Sequence, residues 1–420
     1  MAKTLDVYLH RDLVGQLKQD DGGQISFSYA EGWLANPEAL PLSHSLPLRR
    51  ECYRGKQCRG YFAGVLPEES NREIIARNLG ISARNDYAML ERIGGECAGA
   101  VTFIRAGEPL PERSHHDDEY RTLSSAELAR LLRELPRRPL LAGEAGIRLS
   151  LAGAQDKIAV RVEGNTISLP LGNAPSTHIL KPAVERFAGL VHNEAFCMQL
   201  AAEVALPTAK TEIRTVEDVE FLLVERYDRT FAHDAAGSVR LERVHQEDFC
   251  QALGIVSEMK YQKEGGPSLK QCFALLREVS SAPVIDLARL LDAVLFNYLI
   301  GNNDAHGKNF SLIYRPAQSG QLDVRLAPLY DVVSTYFYPE LTREMAMRIG
   351  DAYHCERVTK ADFEKLAADA GLSRMLVNRR IPELAKSILS RLERARAESP
   401  VAQALPEQIR ARCQHVNRLW

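Results

Sequence analysis

The residues best suited to chemistry lie in a polar segment, 301–310, between an apolar run and an alternating apolar pattern. Asp304 and Asn309 are five positions apart in it, so one short loop can hold both side chains. A carboxylate can accept the proton of a hydroxyl group, and an amide oxygen can bind Mg²⁺. Loops held between rigid elements often carry such groups. The pattern also fits an ordinary polar turn, in which asparagine and Gly307 supply positive φ.

A second acidic residue follows a predicted hairpin. Residues 310–331 have the pattern of two strands joined by a turn, and Asp331 ends the apolar run LAPLYD. Protein kinases carry a second Mg²⁺-binding aspartate after such a hairpin, because both ligands must converge on one phosphate-bound ion. The order predicts Asp304 as the catalytic carboxylate and Asn309 with Asp331 as metal ligands. The alternative for Asp331 is a helix N-cap.

Groups that could hold a nucleotide lie upstream. The turn SLAGAQDK, 150–157, brings backbone N–H groups and Lys157 between two predicted strands, although it matches neither glycine-rich phosphate motif and also fits a plain hairpin turn. Lys181 ends the strand THIL, and Glu194 falls early in the next helix, the order of a phosphate-binding lysine and the glutamate that orients it. The run FLLVERYDR, 221–229, is predicted to be a strand and hinge bordering the adenine.

The elements that position these groups predict an α+β chain with a bilobal, protein-kinase-like fold. The expected parts are a β-rich N-terminal subdomain (1–105), a polar linker (106–123), a kinase N-lobe with a nucleotide-binding sheet (124–228) and a helical C-lobe with the catalytic loop (229–420).

Local patterns predict several of the elements themselves. Ser124 and Glu127 form a capping box that predicts a helix start. Residues 146–225 are predicted to be a mainly antiparallel sheet with one inserted helix, beginning with a strand at 146–151. The chain beyond about 246 is predicted to be helical, interrupted once by the hairpin at 310–331.

Composition excludes several classes. The 420 residues are 45% hydrophobic and 26% charged, with a formal net charge of −2, which excludes wholesale disorder and collagen-like or coiled-coil repeats. The 8 cysteines lack metal-binding spacing and are expected to be reduced thiols. The first residues lack a secretory signal, and the apolar stretch 284–301 is too polar to span a bilayer. These features predict a cytoplasmic protein.

Taken together, these motifs resemble those of the HipA-type bacterial toxin kinases over nearly the whole chain. The segments that carry the resemblance are HSLPL (44–48), LPEES (66–70), SLAGAQDK (150–157), THILKP (177–182), HNEAFCMQLA (192–201), VERYDR (224–229), HQEDFCQALG (245–254), GNNDAHGKNFS (301–311) and PLYDVVS (328–334).

The resemblance implies an ATP- and Mg²⁺-dependent serine/threonine protein kinase. Asp304 would be catalytic, Asn309 and Asp331 would bind the metal, and Glu194 would support the phosphate-binding lysine. The implied ATP contacts are Ala152, Gly153, Ala154, Gln155, Asp156, Lys157, Lys181, Glu225, Arg226, Tyr227, His306, Lys308 and Tyr330.

Ser150 stands where this family carries its autophosphorylated serine. A phosphoserine would add about −1.5 to −2 charges beside the loop expected to hold ATP phosphates, so phosphorylation should displace that loop and switch the enzyme off. The alternative is a structural hydroxyl at the end of a strand.

The resemblance also implies partners. The family phosphorylates an aminoacyl-tRNA synthetase, of the glutamyl-tRNA synthetase type, and is held by a dimeric, HipB-type helix-turn-helix antitoxin on operator DNA. Residues 373–420 hold ten Lys and Arg against four Asp and Glu, which could touch DNA phosphates or simply be solvated. A small-molecule or lipid kinase on the same frame, and a non-catalytic corepressor, remain alternative functions.

Overall fold

The computed structural model describes residues 3–110, 119–184, 186–233, 239–316, 322–392 and 400–420. The chain forms two compact units. The first comprises Met1–Pro182 and Arg214–Glu258, and the second comprises Ala183–Ile213 and Met259–Trp420. The boundaries expected at 105, 123 and 228 stay predictions.

An antiparallel sheet of order β4-β3-β2-β1-β5 opens the first unit. The alternating runs LDVYLH and QISFSYA predicted two of its strands, and their apolar side chains, including Leu5, Val7 and Phe27, are buried. The strands are β1 (Lys3–Leu9), β2 (Asp12–Gln19), β3 (Ile25–Tyr29), β4 (Tyr53–Arg54) and β5 (Val101–Arg105), with helices α1 (Glu31–Leu34), α2 (Gly55–Gly64), α3 (Glu69–Leu79) and α4 (Asp86–Ile93) between β3 and β5.

A second sheet has the order β10-β11-β9-β7-β8-β6. Its strands are β6 (Tyr120–Thr122), β7 (Ile158–Glu163), β8 (Thr166–Pro170), β9 (His178–Pro182), β10 (Thr211–Val216) and β11 (Val219–Glu225). Helix α5 (Ser125–Glu134) begins with the predicted capping box, in which Ser124 and Glu127 bond each other's backbone N–H. The expected linker is only partly described: 111–118 lie outside the described residues, and its end forms the edge strand β6.

The strand predicted at 146–151 is wrong. Ile147, Leu149 and Leu151 are buried, which explains the alternating pattern, but only Leu149 pairs, in a single parallel bridge to Glu96. The first unit ends with the hairpin β12 (Arg229–His233) and β13 (Val239–Arg243), strand β14 (His245–Asp248) and the single turn α7 (Phe249–Ala252).

A buried ion cluster joins distant segments of the first unit. Glu96 accepts from Arg229 Nη2 at 2.6 Å and from Arg243 Nε at 2.8 Å, and Arg226 Nη1 lies 3.2 Å away. Arg226 also bonds both oxygens of Asp228, at 3.0 and 2.8 Å. Burial alone would raise the pKa of Glu96, but the three guanidinium charges outweigh it and lower that pKa to about 2. Three cations therefore hold two carboxylates ionised in the interior.

The second unit is mainly helical, as expected. Its helices are α6 (Leu190–Glu203), α8 (Leu269–Val279), α9 (Pro283–Ile300), α10 (Lys360–Ala370), α11 (Arg374–Leu392) and α12 (Pro400–Leu419). The predicted hairpin is present as β15 (Ser311–Pro316) and β16 (Leu322–Leu326). The expectation of a single hairpin is wrong, because β17 (Glu344–Ile349) and β18 (Ala352–His354) form another.

The structure also describes the cysteines and the longer helices. All 8 cysteines are free, and seven of them are buried. Among the described residues, no helix is both long and apolar enough to cross a bilayer.

Candidate active site

The predicted catalytic loop begins where the buried helix α9 ends. Gly301 caps this helix in the left-handed conformation, with φ of 78°. A Cβ atom here would lie 2.6 Å from Cβ of Tyr336, so both the backbone angle and the space call for glycine. The side chain of Asn302 then donates to Asn297 Oδ1 at 2.9 Å. The helix end and the start of the loop are thus one rigid piece.

Asn303 anchors the loop to its neighbours. Its backbone N–H donates to Thr335 Oγ1 at 2.8 Å, and its side-chain amide donates to the carbonyl of Thr342 at 3.2 Å. Its own carbonyl accepts from Ala346 N, in β17, at 2.7 Å. Asn303 is 5% exposed, so these bonds replace water for a buried amide. The alternative of an ordinary turn required a positive φ at asparagine and at Gly307. Neither Asn302, Asn303 nor Gly307 has a positive φ.

The three residues predicted for chemistry and metal binding all lie in the second unit. Asp304 is exposed on the loop, and Asn309 Nδ2 lies 3.2 Å from Asp331 Oδ2. Asn309 Oδ1 accepts from His306 N at 3.1 Å, which fixes the amide and leaves its oxygen a second lone pair. Asp331 has a φ of 58°, an uncommon angle that aspartate tolerates better than most residues.

These donors suit a hard divalent cation. Mg²⁺ is typically bound by one or two protein oxygen ligands together with substrate phosphates and water. The amide of Asn309 and the carboxylate of Asp331 are such a pair. In the described parts of the chain, no group of three or more His, Cys, Asp or Glu side chains could hold a metal ion.

Two residues predicted to contact ATP also stabilise the loop. The hydroxyl of Tyr330 donates to the carbonyl of Lys308 at 2.7 Å and lies 2.6 Å from Ser311 Oγ. The backbone N–H of His306 bonds Asn309, as described above. Lys308 and His306 are each 7% exposed. Any contact of Tyr330 with a nucleotide therefore concerns its ring more than its hydroxyl.

Glu194 is 1% exposed in helix α6. Its neighbour Asn193 exchanges two hydrogen bonds with the backbone of Ser334, at 3.1 and 2.9 Å. Ser334 Oγ in turn donates to the carbonyl of Ile300 at 2.6 Å. Helix α6 is thereby fixed to the segment after Asp331 and to the end of α9.

In the first unit, the predicted phosphate loop is a compact turn. Gly153 has a φ of 101°, and a Cβ atom there would lie 2.7 Å from Lys157 Nζ. Lys157 Nζ donates to the carbonyl of Ala152 at 2.8 Å, and Asn71 Nδ2 donates to the carbonyl of Ala154 at 2.9 Å. Burial raises the pKa of Asp156, opposed by a hydrogen bond from Asn71. Asn71 is a supporting residue that sequence reasoning missed.

Ser150 is fully buried. Its hydroxyl donates to the carbonyl of Val65 at 2.9 Å, and its backbone N–H donates to the carbonyl of Glu96, also at 2.9 Å. A phosphate group has no room at this position in the described conformation. Phosphorylation of Ser150 therefore requires the segment to leave its place.

Lys181 and the predicted hinge lie on adjacent strands. Lys181 is 6% exposed in β9 and pairs in register with Leu222 of β11. At the end of β11, Glu225 is exposed, whereas the side chain of Arg226 belongs to the buried ion cluster. A contact of Arg226 with adenine can therefore involve only its backbone. The hydroxyl of Tyr227 bonds the side chain of Gln246.

Arg412, which sequence reasoning also missed, caps α9 from the last helix. Its Nη2 donates to the carbonyl of Tyr298 at 2.6 Å, and its guanidinium lies 4.6 Å from the ring centroid of Tyr336.

Arg412→Met should lower the free energy of unfolding of the second unit by about 1–3 kcal/mol, because a charged donor and a cation–π contact are lost. Urea unfolding followed by circular dichroism measures this. Arg418→Met, on an exposed face of the same helix, is the control and should change little; equal midpoints for both variants would contradict the capping role.

The fold is that of a phosphotransferase of the protein-kinase class. Family comparisons agree: residues 5–104 match the HipA N-terminal domain, and residues 149–393 match the HipA-like C-terminal domain. The chain belongs to the HipA family.

Individual relatives support the same assignment. The chain is 46% identical over 387 residues to the putative kinase Y4mE of Sinorhizobium fredii, covering 92% of this chain and 90% of the relative. It is 29% identical to the serine/threonine-protein kinase toxin HipA of Shewanella oneidensis, covering 98% and 96%. The solved structure of the Shewanella HipA, HipB and operator DNA complex matches with a TM-score of 0.83 and 27% identity over 99% of both chains.

The comparisons confirm three expectations from the sequence: HipA-type identity, the α+β kinase-like fold and the serine/threonine protein kinase class. A kinase of this family uses ATP and a divalent metal ion. The roles assigned to individual residues stay predictions.

Proposed function

We propose that this protein is a Mg²⁺- and ATP-dependent serine/threonine kinase that acts as the toxin of a toxin–antitoxin pair. The observation that carries this is the pairing of Asn309, on the loop that also presents Asp304, with Asp331 after the following hairpin, at 3.2 Å. Asp304 would accept the proton of the acceptor hydroxyl as its oxygen attacks the γ-phosphorus and ADP leaves.

Some groups would hold the nucleotide through Mg²⁺, and others would contact it directly. In this proposal Asn309 and Asp331 bind Mg²⁺, which neutralises phosphate charge during transfer. Lys181 and the loop from Ala152 to Lys157 contact the phosphates, Glu194 orients the lysine, and the backbone at Glu225 to Tyr227 borders the adenine. Such transfer depends mainly on positioning and charge neutralisation, so preformed hydrogen bonds around the loop favour it.

We further propose that the acceptor is an aminoacyl-tRNA synthetase, of the glutamyl-tRNA synthetase type, and that the protein acts in the cytoplasm. A HipB-type antitoxin would restrain it, because the matched Shewanella structure contains HipB and operator DNA. Contact with DNA would then come mainly through the antitoxin.

The decisive test incubates the purified protein with labelled ATP, with Mg²⁺ or with EDTA, alone and with a panel of bacterial aminoacyl-tRNA synthetases. Mass spectrometry maps the labelled residues. We expect Mg²⁺-dependent label on one synthetase. ATP binding without label on any protein would reject the synthetase as acceptor and favour a small-molecule or lipid kinase, and no ATP binding at all would favour a corepressor.

Ser150 is proposed as the site of inactivating autophosphorylation. Ser150→Glu should abolish synthetase labelling, because a larger, charged side chain cannot occupy the buried position 2.9 Å from the carbonyl of Val65. Ser150→Ala should stay active and lose its own label. The control Ser125→Glu lies on an exposed first helical turn, where an acid is favourable, and should be fully active. An active, folded Ser150→Glu protein would contradict this mechanism.

A further inference from the structure

A tyrosine outside every predicted motif contacts the proposed catalytic carboxylate. The hydroxyl of Tyr261 donates a hydrogen bond of 2.9 Å to Oδ1 of Asp304, from 43 positions earlier in the chain. An exposed aspartate on a loop samples several rotamers. A hydrogen bond to one carboxylate oxygen restricts that rotation and so gives the other oxygen a preferred direction.

The ring of Tyr261 is itself held in place. It packs edge-on against the ring of His306, with centroids 5.5 Å apart and an interplanar angle of 79°. The ammonium group of Lys260 lies 5.4 Å from the centroid of the tyrosine ring. His306 belongs to the catalytic loop, so the tyrosine contacts that loop through both its ring and its hydroxyl.

The backbone around Tyr261 is equally well fixed. The N–H groups of Glu264 and Gly266 both donate to the carbonyl of Tyr261, at 2.9 Å each, which winds the segment into a tight turn. Arg348 N, in strand β17, donates to Gln262 Oε1 at 3.0 Å.

Strand β17 also bonds the loop that carries Asp304. Two residues before Arg348, the N–H of Ala346 donates to the carbonyl of Asn303, which precedes Asp304. One strand thus supports both the tyrosine turn and the catalytic loop. The separation between the tyrosine hydroxyl and the carboxylate is therefore set by a shared rigid element, which is the arrangement expected for a preorganised group.

We propose that Tyr261 is a positioning residue, which orients the carboxylate of Asp304 to receive the proton of the acceptor hydroxyl. This inference rests on the proposed role of Asp304. Tyr261 does not touch the reacting atoms: it acts through Asp304, by reducing the number of carboxylate orientations that compete with the productive one.

Tyr261→Phe removes only the hydroxyl and keeps the ring against His306. It should lower kcat about 10-fold, the effect of losing a hydrogen bond to a charged group, with KM for ATP and for the protein acceptor changed by less than about twofold. The control Tyr353→Phe removes a hydroxyl elsewhere in the same unit and should keep full activity.

A double-mutant cycle with Asp304→Ala separates positioning from general structural support. Because Tyr261 acts through the carboxylate, Tyr261→Phe should change the residual rate of the Asp304→Ala protein by less than about twofold. An equal fold-loss in both backgrounds would overturn the inference, as would an unchanged kcat in the intact background or phosphate mapped on Tyr261 itself. Full activity of Asp304→Ala would instead reject the proposed function.

Discussion

Asp304→Asn should lower the rate of phosphoryl transfer by about 10²- to 10⁴-fold, the range supplied by a positioned proton acceptor. Asparagine preserves the size of the side chain but cannot accept the proton. The loop itself should be undisturbed, because it is held by Asn302 and Asn303 through bonds that do not involve the carboxylate. Single-turnover labelling of the acceptor by ATP measures the effect without interference from product release.

Binding and folding provide the controls for this prediction. The affinity for ATP with Mg²⁺, measured by calorimetry, should be nearly unchanged, since Asn309 and Asp331 keep their pairing at 3.2 Å. The unfolding midpoint should also be close to that of the parent. Asp323→Asn, in the hairpin after the loop, alters a carboxylate outside the site and should transfer phosphate normally. A rate for Asp304→Asn within about twofold of the parent would refute the assigned role.

Glu96→Gln should destabilise the first unit by about 3–5 kcal/mol, the cost of removing one partner from a buried ion pair. The substitution keeps the shape of the side chain. It leaves Arg226, Arg229 and Arg243 with only Asp228 as an anionic partner in the buried cluster. A loss of this size is a large share of the stability of a typical domain.

Fluorescence can assign the loss to the correct unit. The chain has 2 tryptophans, and Trp33, 8% exposed, lies in the first unit while Trp420 lies in the second. In a Trp420→Phe background, urea unfolding monitored at Trp33 therefore reports the first unit. The matched control is Glu163→Gln, which removes an exposed carboxylate paired with Arg161 and should cost at most about 1 kcal/mol. Similar midpoints for the two variants would argue against a structural role for the cluster.

Local patterns account for what the sequence predicted well. The capping box at Ser124 and Glu127 needs only a fixed spacing of neighbouring residues, and it formed as expected. Alternation of apolar residues likewise predicted the hairpin before Asp331, and helical periodicity predicted the helix that carries Glu194.

The two wrong predictions of secondary structure have physical causes. In β17, the segment EMAMRI is rich in good helix formers, so intrinsic propensity concealed a strand that tertiary pairing imposes. At 146–151, alternate side chains are buried without a hydrogen-bonded ladder, so the strand pattern arose from burial alone.

Long-range contacts were beyond the reach of sequence patterns. Tyr261 meets Asp304 across 43 positions, and Glu96 meets Arg229 across 133. No spacing rule links residues so far apart, because the folded chain and not the local sequence brings them together. The same holds for Arg412, whose guanidinium reaches the end of α9 from the last helix.

The Glu96 cluster also bears on how genes of this kind can evolve. Glu96 lies in the segment matched by the N-terminal family domain, and its three arginines lie in the segment matched by the C-terminal one. Recombination that replaced residues 5–104 with an unrelated domain would remove Glu96 and leave the three buried guanidinium groups with only Asp228 as an anionic partner in the cluster. We therefore expect the two parts to be inherited together and exchanged only between chains that both retain this set of charges.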